Sequence, residues 1–445
     1  MEESWVNSVD LHLALSASGS KRAKLIEALR EAVGRLPAGT RLPPYRSLAT
    51  DLGIARNTVA DAYAELVAEG RLTARQGSGT RVAQRAVPVK PVRLPKKSPA
   101  PQTVHNLRQG QPDAASFPRT DWLASARRAL TAAPSEAFGP GDPRGRIELR
   151  VALADYLGRA RGVRTSPDRV VVCSGFAHAL RLLFPQVLTG PLSVESYGLP
   201  FHWSLLPRAF PLPLDEHGAR VGEATTKTVL LTPAHQFPTG GPLHHERRAE
   251  VVARGGLVIE DDYDGEFRYD RQPVGAVQGL DPERVLYIGS ASKSLSPALR
   301  LGWMVLPEHL VEKVVAAKGE REAWASVPDQ LTLADFITSG AYDRHIRRMR
   351  LRYRRRRDQL VGALAPHIEV TGISAGLHAV LRLPEGTEAS VVKAAAWQGI
   401  ALDGLAAFRH PDATMPAFDG LVVGYSTPPD HAYGAALEAL CRALP

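Results

Sequence analysis

The sequence predicts an α/β protein in two parts. One is a small N-terminal winged helix-turn-helix domain. The other is a large body: a mostly parallel sheet with helices on both faces, and a smaller C-terminal α+β subdomain. Three observations carry this reading. Three helical stretches precede two strand-like runs around a Gly-rich turn within residues 21–83. A Pro-rich basic stretch follows. Beyond residue 105, short apolar runs alternate with helical segments, the pattern of parallel strands buried on both faces.

The first helix covers Lys24 to Gly34, with Leu25, Ala28, Leu29 and Val33 on one face. Pro37, Gly39 and Pro43-Pro44 punctuate the chain. Tyr45 to Leu52 forms a second helix, with Gly53 as its C-terminal cap. A third runs from the turn Ile54-Ala55-Arg56-Asn57 to Glu69, and its Val59, Tyr63 and Leu66 recur at the spacing of a core-facing stripe. Arg71–Arg75 and Thr80–Val82 then pair as strands around Gln76-Gly77-Ser78-Gly79. The domain spans residues 1–83 and a linker spans 84–104. In the linker Pro88, Pro91, Pro95, Pro99 and Pro101 alternate with Lys90, Arg93, Lys96 and Lys97, which favours extended chain over a packed core. The body fills 105–445. Its strand candidates include Val170-Val171-Val172, Thr228–Leu231, Leu257-Val258-Ile259, Val285–Ile288 and His378–Leu383.

Composition narrows the partners. Residues 1–104 hold 16 Lys/Arg against 9 Asp/Glu, and most of the net charge of +9 therefore lies at this end. A basic head on a nearly neutral body points to a polyanion partner for the head. The two cysteines, Cys173 and Cys441, suggest neither a disulfide framework nor a metal site, and a reducing, cytoplasmic setting is expected. The start Met1-Glu2-Glu3-Ser4 does not read as a signal peptide, and no apolar stretch is long enough for a membrane span.

Lys293 carries the chemistry. It stands in Gly289-Ser290-Ala291-Ser292-Lys293-Ser294-Leu295-Ser296-Pro297-Ala298-Leu299-Arg300, downstream of Glu260-Asp261-Asp262-Tyr263. An amine condenses with an aldehyde to a Schiff base. Hydroxyls and an arginine hold a phosphate dianion, and an acid pairs with a ring nitrogen. Together these needs describe pyridoxal 5'-phosphate (PLP). In the head, Arg56, Asn57 and Thr58 open the helix that a helix-turn-helix presents to the major groove, where Arg and Asn bond base edges. Arg46 is placed to reach the phosphate backbone, and Arg75 with Gly77 at the wing tip to reach a minor groove or phosphate.

The segments Leu42–Ala49, Ala55–Leu66 and Gly77–Thr80 resemble the GntR family of bacterial regulators. The body resembles fold-type I aminotransferases through Gly141–Gly145, Thr232–Gly240, Glu260–Tyr269 and the lysine segment. A GntR head on such a body is similar to the MocR/GabR-type (PdxR-like) regulator subfamily. That resemblance implies an internal aldimine at Lys293 and an acid on the pyridinium nitrogen, Asp261 or its neighbour Asp262. Tyr263 would bond the ring hydroxyl, and Ser290, Ser292 and Arg300 the phosphate, with backbone N–H groups of Ser174-Gly175-Phe176. Tyr197 would stack on the ring. It also implies a head-to-tail homodimer on double-stranded operator DNA, with PLP or a small amine or amino acid as effector. Control of vitamin B6 or amino-acid metabolism genes is one family role. The alternative is an active aminotransferase with an accessory DNA-binding head.

The chain departs from the aminotransferase pattern in several places. Ala177 stands where Gln is usual, Phe237 where Asn precedes Pro-Thr-Gly (His235 or Gln236 being candidate substitutes), and Glu195-Ser196-Tyr197-Gly198 where Pro-Gly-Tyr is usual. The strand Gly420–Ser426 lacks the arginine that anchors a substrate carboxylate, which predicts weak amino-acid binding. The basic run Arg344–Arg357 is expected to be helical, as a solvated or interdomain face more than a DNA contact.

Overall fold

The computed structural model describes residues 11, 13, 20–75, 78–84, 104–269, 274–319, 325–364, 366 and 368–445. They fall into two compact units that divide within the Pro-rich stretch. Of the linker expected over 84–104, only Gln84 and Val104 are among the described residues, and Gly77 of the wing tip is outside them.

The N-terminal unit has three helices, α1 (Lys21–Arg35), α2 (Tyr45–Leu52) and α3 (Arg56–Ala68), then an antiparallel pair, β1 (Leu72–Arg75) and β2 (Gly79–Val82). Ser20 caps α1 by accepting from the Ala23 N–H. Gly53 ends α2 at φ 61°, the left-handed cap its residue type permits. The expected stripes meet: Leu25, Leu29 and Val33 pack on Val59, Tyr63 and Leu66, closed by Leu72 and Val82.

The body is built on a seven-stranded sheet in the order Val170–Cys173, Gly302–Val305, Val285–Ser290, Leu257–Asp261, Thr228–Leu231, Leu192–Glu195, Ala209–Leu212. Gly302–Val305 runs antiparallel to both neighbours, and the other pairs are parallel. Alternation along the strands explains their continuous apolar runs. Val170, Val172, Tyr287, Trp303 and Val305 enter one core with the helix Ile147–Arg161, while Val171, Cys173, Ile288 and Met304 enter another with the helix Phe176–Leu183. A four-stranded antiparallel sheet forms the smaller subdomain: Val370–Thr371, His378–Arg382, Gly420–Gly424 and Asp403–Gly404. Both cysteines are free. No described helix is long and apolar enough to cross a membrane.

Candidate cofactor cavity and nucleic-acid surface

In an open α/β sheet, side chains past the carboxyl ends of the parallel strands converge on one crevice. Here that crevice is a cavity of about 410 Å³. Glu195, Asp261 and Ser290 reach it from strand ends. Ser292, Lys293 and Arg300 reach it from the loop before the antiparallel strand, and Gly175, Phe176 and Ala177 from the start of the helix Phe176–Leu183.

Lys293 is the one lysine among the described lining residues. Its Nζ donates to the Gly110 carbonyl. Burial pulls its pKa below the usual lysine range, against the opposing charges of Asp264 and Asp261, and so favours the nucleophilic free amine. Asp261 lines the same cavity, and among the described residues its carboxylate makes no hydrogen bond or ion pair. Burial and the neighbouring Asp262 push its pKa well above the usual carboxylate range. Asp262 points the other way. It accepts from Arg161 at 2.7 and 3.0 Å and from the Tyr287 hydroxyl at 2.8 Å, in a buried ion pair. The geometry thus separates two acids that the sequence left open: Asp261 faces the cavity and Asp262 ties the sheet to the helix Ile147–Arg161.

At the cavity's far end, Gly175, Phe176 and Ala177 present N–H groups with no partner inside the helix, a ready anion site. Arg300 is the one non-glycine residue with positive φ among those described, at 51°. That strain holds its guanidinium beside Gly175, whose Cβ would lie 3.7 Å from Nη2. Arg300 makes no ion pair among the described residues. The loop approaches this closely because Gly302 lies beneath it: a Cβ there would stand 2.7 Å from the Gly175 Cα. Ser290 and Ser292 also line the cavity. Ser174 does not; its N–H donates to His178 Nδ1 at 3.0 Å.

Tyr263 lines the cavity, with its hydroxyl 2.9 Å from His235 Nδ1. Tyr197 lines it too, but is 1% exposed and packs with Phe237, Phe408, Leu405, Val380 and Val422. Phe237 is a cavity wall. The Gln236 amide is turned to the carbonyls of Tyr197 and Phe237 and does not line the cavity. Burial lifts Glu195 to about 7, held by Thr232 and Gln236. His202, a wall residue beside Phe176, is depressed to about 4 by burial and the Lys293 charge. Sequence reasoning missed His202 and the lining segment Gln109-Gly110-Gln111, which is remote in sequence and carries no motif.

The donor set fits a phosphorylated pyridine aldehyde. The lining offers N–H groups and an arginine without an ion pair for an anion, an acid without a partner among the described residues, and a desolvated amine.

In the head, Arg46, Arg56, Asn57 and Arg75 are exposed and Thr58 is half-buried. Arg56 lies over the Tyr45 ring at 5.1 Å, a contact that fixes the start of α3. Arg22, Arg30 and Arg71 are bound in ion pairs to Glu65 and Glu69. Arg46, Arg56 and Arg75 make none among the described residues, so their charge faces solvent.

A helix-turn-helix head and an aminotransferase-like body define the class. Residues 21–82 match the bacterial regulatory proteins of the gntR family, and residues 102–191 and 215–413 match aminotransferase class I and II. The chain is 32% identical to the HTH-type pyridoxine biosynthesis transcriptional regulator PdxR of Corynebacterium glutamicum, over 94% of this chain and 95% of that one. It is 32% identical to the probable rhizopine catabolism regulatory protein MocR of Rhizobium meliloti, over 91% and 89%. The body matches the crystal structure of Pyrococcus horikoshii kynurenine aminotransferase with TM-score 0.68 and 23% identity, covering 77% of this chain and 90% of that one. The chain belongs to the MocR-type branch of the GntR-family transcriptional regulators, whose body is that of the PLP-dependent class I and II aminotransferases.

Proposed function

We propose that this chain is a PLP-responsive transcriptional regulator that binds operator DNA through its head and senses PLP, or an amine held on it, through Lys293. The observation that carries this is the cavity itself, where a depressed lysine amine, an unpartnered Asp261 and an anion cradle with Arg300 converge. PLP supplies an aldehyde for a Schiff base and a pyridinium that withdraws electrons. Lys293 would hold that aldehyde carbon, and Asp261 a proton at the ring nitrogen. Ser290, Ser292, Arg300 and the N–H groups of Gly175 and Phe176 would hold the phosphate. Tyr263 would donate to the ring hydroxyl oxygen, and Tyr197 and Phe237 would close a wall against water.

Arg300 is the one arginine among the described lining residues. The Arg409 Nη2 is committed to the carbonyls of Ala413 and Met415, and Arg356 to those of Tyr425 and Ser426. Among the described lining residues no second guanidinium is offered to an α-carboxylate, and this favours PLP itself or an amine without a carboxylate as the effector. The relative named for pyridoxine biosynthesis supports control of vitamin B6 genes. A homodimer, head-to-tail, with two heads on two half-sites follows from the same reading, as does a cytoplasmic site of action on nucleoid DNA.

The test compares wild type with Lys293→Ala for visible absorbance on PLP addition and for operator footprints with and without PLP. Wild type is expected to turn yellow and change its footprint, and the variant to do neither. Identical, colourless behaviour of both would refute the reading. The rival, a working aminotransferase, is favoured by Lys293, Asp261 and Tyr263 lying together, and predicts steady-state turnover with an amino donor and keto acceptor.

A further inference from the structure

Behind Tyr263 lies a second layer that no role above employs. His235 and Asp264 are 3% and 2% exposed. His235 Nδ1 stands 2.9 Å from Asp264 Oδ2 and 2.9 Å from the Tyr263 hydroxyl oxygen. An ionised carboxylate only accepts hydrogen bonds, so the Nδ1 proton is shared between Asp264 and the phenol oxygen. With the Nδ1 proton on that side the phenol oxygen is an acceptor there, and its own hydrogen has two places to go, the Asp264 carboxylate that it also reaches and the cavity. Burial, the charges of Asp264 and Asp261 and the hydrogen bond to Asp264 keep the phenol protonated well above the usual tyrosine range, so a hydrogen is there to turn toward a ring oxygen once Asp264 is engaged by His235. Packing fixes the pair. A Cβ on Gly376 would lie 2.3 Å from His235 Cε1 and 2.6 Å from Asp264 Oδ2, and the Gly376 carbonyl is itself held by the Tyr269 and Tyr425 hydroxyls. Beside Tyr263, Phe237 supplies no donor and the Gln236 amide is spent on backbone carbonyls.

We propose that His235 is a positioning residue: oriented by Asp264, it holds the Tyr263 hydroxyl as a hydrogen-bond donor toward the ring oxygen of the bound cofactor. The inference rests on the PLP-binding reading. Among the described residues the other titratable groups facing this layer are Asp261, Lys293 and Glu195 from the cavity, Glu266, Tyr269 and Tyr425 from the buried side, and His378 from the small sheet, its ring 5.3 Å from His235. Burial depresses His378 to about 3, so it is neutral and does not compete for the Asp264 charge.

The test is a pH titration of the visible band of the full chain saturated with PLP. Losing the Tyr263 donor leaves more negative charge on the ring oxygen and favours protonation of the nitrogen beside it. In His235→Phe and Asp264→Asn the midpoint should therefore rise by about one unit, and in the double variant no further. His235→Gln, which keeps a donor, should return part of the shift. In a Tyr263→Phe background, His235→Phe should add nothing. Unmoved midpoints in both single variants, or a His235 effect that persists without the phenol, would overturn the proposal. Asp264→Asn, nearly isosteric, keeps the test usable if His235→Phe fails to fold. A wild-type chain that stays colourless refutes the PLP reading instead, and the two failures are thus distinct.

Discussion

At the scale of single residues, Glu266 shows what the body's polar interior does to stability. It is buried beside the hydroxyls of Tyr156 and Tyr342, and burial together with the charge of Asp262 lifts its pKa from 4.5 to about 7. Between those values the folded chain keeps a proton that the unfolded chain has released, so this group lowers stability as pH rises through the window. Glu266→Gln lacks the group. Its stability relative to wild type should climb by about 2–3 kcal/mol between about pH 4.5 and about pH 7, and stay level on either side. Urea denaturation of the cofactor-free proteins across that range measures it. A gap that does not change with pH would show that Glu266 folds as an anion.

At the scale of elements, the helix Ala341–Ala363 divides its arginines between two uses. Arg356 is 2% exposed, donates to the carbonyls of Tyr425 and Ser426 and to Asp430 at 2.7 Å, and lies over the Tyr433 ring. It joins this helix to the end of the strand Gly420–Gly424 and to the C-terminal helix Asp430–Ala443. Arg350 and Arg352 likewise reach Glu266, Asp113 and Asp430. Arg354 and Arg355 face solvent. Arg356→Ala leaves buried carbonyls unpaired and should cost about 3 kcal/mol or more. Arg354→Ala should stay within about 0.5 kcal/mol. Chemical denaturation of both variants decides, and equal costs would refute the division. From sequence this run reads as one basic block, because charge alone does not say which arginine meets a carbonyl. The same limit explains the rest of what was legible and what was not. Local signals sufficed for α1 to α3, whose apolar stripes and Gly53 cap act over one or two turns, and for the Lys293 segment, whose residue types are contiguous. They did not suffice for Gln109-Gly110-Gln111 or His202, which reach the cavity through the fold. Nor did they separate Asp261 from Asp262, since strand alternation orders neighbours on opposite faces without saying which face is the site.

At the scale of the whole molecule, charge and chemistry lie in different units of the chain. The head holds Arg46, Arg56 and Arg75, which make no ion pair among the described residues, while the Lys293 cavity belongs to the body. A ligand in the cavity alters DNA affinity only if it binds two states of the protein unequally. Linkage then makes the effect reciprocal: whatever factor PLP imposes on operator affinity, operator must impose on PLP affinity. For a regulator this factor should fall in the range of about 5- to 150-fold. The measurement is the PLP dissociation constant from visible absorbance, with and without saturating operator, set beside the operator dissociation constant with and without PLP at one salt concentration, since phosphate contacts make the latter steeply salt-dependent. Equal factors above unity are expected. In Lys293→Ala the factor should fall to unity while operator affinity in the absence of PLP stays unchanged, because the head's own arginines supply it. A PLP-loaded wild type with a factor of one would make the body a cofactor-binding scaffold with no influence on the head.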